Sequence, residues 1–493
     1  MNASRNGLRL ATILLGSSFL AAAGGDAPIP WPNGSPPTSE DIAAAIDDAL
    51  ILANRDRFEE FLVSVNEADD REHIFLVQDW IDKQNYKPED LFRFGDAFFN
   101  HEFRPMDGSG NASLPPLRRV HTGVRGGSDT YSCAGCHSVG GADGAGSLTQ
   151  NAFTNGDGEH LSSANMRNAP AVLGLGFVQM LAAEMTTELS NQRALAMDQA
   201  ATQGAPVTVD LVAKGVSFGK LTATADGDVD TSKIEGVDSD LVVKPFGWKG
   251  NVAKLRRFAE EAARIHFGVQ SHVLALQWKD KPDIEKLGPG PDWWDPDNDG
   301  VQREIEEGIL TAAAAYMTLI EVPVMMPPYD SGLRERWGRG AGVFDQIGCA
   351  DCHRTHLLLN SGVFQEYPDT TGGPPVQFNV LAHGDKPRGS FDVELFSDLK
   401  RHDMGPDLAD PHDEPGSSIP RSVFLTRPLW GLAETAPYMH DGRAFTIPEA
   451  IVAHGGEAEK AREAFVALED EAKKDLHIYL LSLSRNSRLV VLP

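Results

Sequence analysis

The sequence predicts a mainly α-helical chain in two halves, with a small β-rich insertion in the first. Three observations predict it. Apolar residues recur at three- and four-residue spacing over much of the chain, as amphipathic helices require. Between about residues 204 and 246 the pattern changes: Val207, Val209 and Leu211, then Val216, Phe218 and Leu221, alternate with polar residues and are punctuated by Gly-Asp turns. One short motif occurs in each half, as Cys133-Ala134-Gly135-Cys136-His137 and as Cys349-Ala350-Asp351-Cys352-His353.

C-x-x-C-H is the attachment signature of a c-type haem. The two thiols form thioethers, and the histidine follows closely enough to reach the iron as proximal ligand. The chain has four cysteines, and the two motifs use them all. A thiol-redox pair, a disulfide or a zinc site needs no histidine directly after the second cysteine, and both motifs have one. The expected cofactors are therefore two covalently bound haem c groups, one on Cys133, Cys136 and His137 and one on Cys349, Cys352 and His353. The halves then read as two cytochrome c-type haem domains, residues 101–329 and 330–493.

Taken in order, the chain opens with Arg5 and Arg9, an apolar run from Leu10, and Ala21-Ala22-Ala23. Residues 1–23 read as a signal peptide. The run is short for a membrane span, and no other stretch approaches that length. The expected product is periplasmic, with no membrane span after cleavage, in keeping with haem c attachment outside the bacterial cytoplasm. A net charge of −27 argues against nucleic acid or an anionic membrane as partner. It favours a basic one, such as a small electron-donor cytochrome or copper protein.

Residues 24–100 read as a Gly/Pro-rich lead and then a helical segment, with Ile42, Ile46 and Leu50 on one stripe. Gly-rich loops, 123–132 and 140–146, flank the first motif. Helices are expected over Leu181–Ala201, Val252–Leu276, Gln302–Ile320 and Arg334–Ile347. A C-terminal helix is expected through Leu468, Leu476, Leu480 and Leu483. Residues 360–425 read as loop-rich, and Asp226–Asp230 as a hairpin turn. Asp295, Asp297, Asp299, Gly300 and Glu306 fit the EF-hand loop spacing, which points to one Ca²⁺ held by hard oxygen ligands. Gly288-Pro289-Gly290-Pro291 stands where an incoming helix would be.

The last hundred residues carry a further set: His402-Asp403-Met404-Gly405, Arg427-Pro428-Leu429-Trp430-Gly431-Leu432, Pro437-Tyr438-Met439-His440-Asp441-Gly442-Arg443 and His454-Gly455-Gly456-Glu457-Ala458. This set resembles the di-haem oxidoreductase family, related to the bacterial di-haem cytochrome c peroxidases. The resemblance covers most of the chain after Leu91. The family is also labelled thiol oxidoreductase, a label without support where all cysteines sit in haem motifs.

The resemblance implies His353 as proximal and His454 as sixth ligand of the second iron, with Met404 and Met439 as alternatives. It leaves His440 to hydrogen-bond a propionate or the backbone. Phe246-Gly247-Trp248 resembles the peroxidase segment whose tryptophan lies between the haems, which makes Trp248 a candidate electron route or else an ordinary core residue. Where the peroxidases carry a distal glutamine and glutamate, this chain has Phe258 and Gly268. Acid–base work near the first haem then falls to His266, Gln270, Glu260 or Glu261. His266 suits it because an imidazole titrates near neutrality, though it could instead bind iron. The expected function is a periplasmic peroxidase-like oxidoreductase that reduces hydrogen peroxide with electrons from a small carrier. The alternatives are a non-catalytic electron-transfer cytochrome and a di-haem oxidase acting on a protein side chain or polymer.

Overall fold

Two pairs of packed helices frame the two motifs. The computed structural model of the protein describes residues 75–84, 86–109, 128–157, 160–279, 299–320, 322–323, 325–370, 372–380, 382–383, 386–387, 390–414 and 416–485. The expected signal peptide, most of the expected N-terminal helical segment, Asp295 and Asp297 lie outside the described residues.

The first pair joins Pro88–Asn100 to Glu307–Leu319. Pro88 suits a first helical turn, and the Asp90 carboxylate accepts the orphan Lys87 N–H. Leu91, Phe92, Phe98 and Phe99 then bury one face. Glu307–Leu319 is buried on every side, and its alanine run lets other elements come close. At Gly95 they touch: a Cβ there would overlap the Ala312 carbonyl and the Tyr316 Cβ. Gly95→Val is therefore expected to destabilise the fold by about 1–3 kcal/mol through overpacking. Thermal unfolding followed by circular dichroism should show a midpoint several degrees lower, and an unchanged midpoint would contradict the close crossing.

The second pair repeats the arrangement. Ser331–Gln346 starts at Asp330, whose carboxylate accepts from the Leu333 N–H, and packs on Asp470–Leu481. A Cβ at Gly340 would overlap the Asp475 carbonyl. Asp475 takes Arg336 and Arg339 at 2.6 Å each. Phe344, Leu476, Tyr479 and Leu480 are buried between the helices.

Two hydrophobic cores follow from these pairs. The larger gathers residues of the first half together with Leu357, Leu359, Phe364, Val393, Leu395, Leu399 and Trp430 of the second. The smaller holds Phe344, Ile347, Phe396, Ile447, Phe465 and the last helix. The halves thus share packing, which fixes one motif relative to the other.

Within 204–246 the structure has a three-stranded antiparallel sheet, Val207–Ala213, Val216–Ala223 and Val229–Asp230. Leu211, Ala213, Phe218 and Leu221 bury one face toward the long Leu175–Gln203 helix. That helix begins earlier than its periodicity suggests, after Gly174 at φ +61. Asp226–Asp230 turns between the last two strands, with Gly227 at φ +90 and the Thr224 N–H on the Asp228 carbonyl.

The stretch expected as one helix over Val252–Leu276 is two, Leu255–His266 and His272–Lys279. Gly268 breaks it at φ +74, and the His266 and Phe267 carbonyls turn away to accept from Asp129 N–H and Ser128 Oγ–H. The C-terminal helix is likewise interrupted, giving Glu459–Ala467 and Asp470–Leu481. The segment 360–425 carries short two-stranded ladders, such as Arg401–Asp403 with Val423–Leu425. No described helix is long and apolar enough to cross a membrane.

Candidate functional site

The first motif is one helical turn, Cys133–Cys136. The Ser132 hydroxyl caps it by accepting from the Gly135 N–H at 3.1 Å. The His137 N–H reaches the Cys133 carbonyl at 3.0 Å, so the turn closes before the imidazole projects. That ring lies 5.8 Å from Phe99, which lies 5.3 Å from Tyr316. Both helices of the first pair therefore wall the motif. The His137 Nδ1 is 3.3 Å from the Gly144 carbonyl, in the Gly-rich loop after the motif, and burial holds its pKa down to about 4.

The second motif is a tight turn after Gly348 at φ +86. The His353 Nδ1 is 2.9 Å from the Phe396 carbonyl. Burial lowers its pKa to about 4. Opposite stands His454, whose place is set by a short helix, Ile447–Ala453. Its start is a capping box: Glu449 N–H donates to the Thr446 hydroxyl, and the Glu449 carboxylate accepts the Thr446 N–H. His454 ends that helix, with its Nδ1 2.7 Å from the Ala450 carbonyl, and burial lowers its pKa also.

These features test whether the residues fit haem. The His353 and His454 ring centres are 6.4 Å apart. Two imidazoles on one first-row metal, each bonded at ~2 Å, bring their ring centres roughly 6 Å apart. In all three histidines Nδ1 lies against a backbone carbonyl, as ligating histidines require of their second nitrogen. All three are held neutral by burial, the form that binds iron. Burial pushes the Cys133 and Cys349 thiols up to about 12, an environment for a thioether and not for a reactive thiolate. The four cysteines form no disulfide with one another. The donor set fits two covalently attached haems.

A cavity of about 410 Å³ extends from Cys349, Cys352, His353 and His454 past Met404 and Met439 to Trp248, Arg427, His440 and Asn168. Trp248 sits in a tight loop between Gly247 at φ +74 and Gly250 at φ +61. Its Nε1–H donates to the Asn168 carbonyl at 2.7 Å. The Asn168 side chain donates to the Gly146 carbonyl at 3.0 Å, and its N–H donates to the His440 carbonyl at 2.7 Å. Asn168 thereby links Trp248 to the loop that holds His137. His440 stacks on Phe424, 4.3 Å between ring centres, and uses its backbone carbonyl rather than its ring in this bridge. A buried carboxylate, Asp410, braces it by pairing with Arg167 at 2.6 Å and Lys249 at 3.1 Å.

The His266 carbonyl accepts from the Asp129 N–H at 2.9 Å, just before the first motif, and its ring is paired with Asp129, Nδ1 to Oδ2 at 3.1 Å. Burial alone would lower its pKa, but the Asp129 charge and hydrogen bond raise it above the ordinary value. Burial raises the pKa of Glu261, against the charges of Arg264 and Arg257, and two further acid–base candidates have partners of their own. Glu260 is bound by Ser271 and Arg257, and the Gln270 amide donates to the Gly268 carbonyl. Phe258 packs on Phe246. Asp129 had no signal in the sequence beyond its place in a Gly-rich loop.

Beside Cys352, His402 lies between Asp398 at 2.8 Å and Glu457 at 2.7 Å. Burial opposes its protonation, but hydrogen bonds to Asp398 and Cys352 raise its pKa to about 11. In the candidate calcium loop, Asp299 accepts from the Val301 N–H, and the Glu306 carboxylate is paired with Arg303 at 2.6 Å.

Residues 316–483 match the family model described as "Di-haem oxidoreductase, putative peroxidase". Among solved structures, the chain is similar to Kuenenia stuttgartiensis hydrazine synthase, at 19% identity over 42% of this chain and 66% of that one, with a TM-score of 0.23. It is also similar to a MauG-like protein associated with microbial copper homeostasis, at 16% identity over 77% of this chain and 94% of that one, with a TM-score of 0.31. No curated protein matches the sequence.

Proposed function

We propose, for a chain whose residues 316–483 match the di-haem oxidoreductase family model, a periplasmic peroxidase-like enzyme with two covalently attached haems. Its reaction takes one hydrogen peroxide, two electrons and two protons to two waters. The observation that carries this reading is an asymmetry. His353 has a second imidazole, His454, across a gap suited to one metal ion, whereas His137 packs against the Phe99 ring. One site is closed to exogenous ligands and suits electron storage, and the other is left open for peroxide.

The haems, when bound, supply exchangeable electrons and the position at which peroxide is held. The chain's own residues supply the rest. His137, fixed through Nδ1 on Gly144, orients the first site, and His353 with His454 closes the second. Trp248, hung on the Asn168 bridge, lies on the route between them. Asp129 holds His266 through Nδ1. The His266 imidazole takes a proton from one peroxide oxygen and returns it to the departing one.

Two cytochrome c-type domains, residues 101–329 and 330–493, carry these sites, and the Pro88–Asn100 helix packs with the first. The donor is a small basic cytochrome or copper protein, drawn by the net charge of −27. Residues 1–23 direct export. Asp295, Asp297, Asp299 and Glu306 hold one Ca²⁺, with Glu306 giving up Arg303.

The test is stoichiometric. A reduced small c-type cytochrome, mixed with haem-loaded protein and limiting peroxide, is expected to be oxidised at two equivalents per peroxide. Peroxide loss without donor oxidation would refute the peroxidase reading.

A further inference from the structure

Arg427 is the cavity residue whose chemistry is still unused. It follows the Val423–Leu425 strand of the second half and lines the cavity that holds Cys349, Cys352 and His353. Its guanidinium carbon lies 5.7 Å from the centre of the Trp248 ring. Its Nε is buried without a hydrogen-bond partner. Burial lowers its pKa to about 10, and no acidic group acts on it in return. Neighbouring cations are treated differently: Arg167 and Lys249 share Asp410, and Arg443 has Asp441 at 2.7 Å.

A guanidinium stays charged even when buried, and a buried charge without a partner is costly. Its fork of N–H donors matches a carboxylate in two parallel hydrogen bonds. The Trp248 face gives the guanidinium a cation–π contact, but the indole offers no acceptor for its N–H donors.

We propose that Arg427 anchors a carboxylate in this cavity, beside Trp248. Its place in a cavity lined by Cys349, Cys352 and His353 favours a haem propionate as that carboxylate, with a small free carboxylate as the other source of the same chemistry. The inference rests on the two-haem reading above. Arg427 is then a positioning residue. The ion pair neutralises the charge that would otherwise face the indole.

The test uses haem-loaded protein from cells fed 5-aminolevulinate with a ¹³C-labelled carboxyl, which marks the propionates. Haem content is measured first. Fewer than two haems per chain in the unaltered protein would fail the two-haem reading and not this one. Oxidised-minus-reduced infrared spectra are then compared for the unaltered protein, Arg427→Gln and Arg427→Lys. The labelled carboxylate band is expected to shift in Arg427→Gln and to stay close to its original place in Arg427→Lys. Unshifted labelled bands, together with a bound-formate band that Arg427→Gln abolishes, would assign the same anchor to a free carboxylate. Identical labelled bands in all three proteins, with no bound formate, would overturn the proposal.

Discussion

Replacing Cys133 and Cys136 together by alanine is expected to lower the haem content from two per chain to one, and replacing Cys349 and Cys352 to remove the other. Both variants are expected to lose peroxide turnover to background. The reason is chemical. Each pair lies on a single turn that ends at a buried neutral histidine. Burial raises the pKa of the Cys133 and Cys349 thiols, which disfavours a reactive thiolate at either position. A catalyst that stores one electron at each of two sites fails when either is lost. The check is covalent haem per chain after acid–acetone extraction, alongside turnover. Two acid-stable haems in either double variant would show that the cysteines are not the attachment points.

His266→Ala is expected to slow peroxide reduction by about 10²–10⁴-fold, the usual contribution of a positioned acid–base group, with both haems retained. Asp129→Asn adds a pH signature. In the unaltered protein Asp129 raises the His266 pKa. The neutral base is therefore lost as pH falls through a value above the ordinary histidine range, and kcat/KM should fall there. In Asp129→Asn the raising partner is gone and burial remains, so the same limb should move to lower pH. A profile unmoved by Asp129→Asn would remove His266 from the proton path. A rate unchanged by His266→Ala would do so outright.

The parts of this site legible in the sequence are those whose chemistry fixes a local spacing. C-x-x-C-H is local because two thioethers and one ligand must fall on one turn. His454 was legible through the family resemblance, from its place after the Pro437–Arg443 segment. The alternation within 204–246 was legible because the sheet buries one face only. What escaped depends on partners far along the chain. Asp129 meets His266 only in the fold. Asn168 acts through its backbone carbonyl, which no side-chain pattern records. The unmatched charge of Arg427 is a property of its surroundings. The break at Gly268 was hidden because apolar spacing runs through it. Hydrogen bonds from residues 128 and 129 to the 266–267 carbonyls stabilise the break instead.

The most direct measurement is low-temperature EPR of the purified ferric protein, before and after hydrogen peroxide, repeated after one-electron reduction. One low-spin signal for the His353/His454 site and one high-spin signal that peroxide alters are the predicted result. Two low-spin signals untouched by peroxide in the ferric protein, with the single ferric signal left after one-electron reduction also low-spin and untouched, would contradict an open site on His137 and leave an electron carrier.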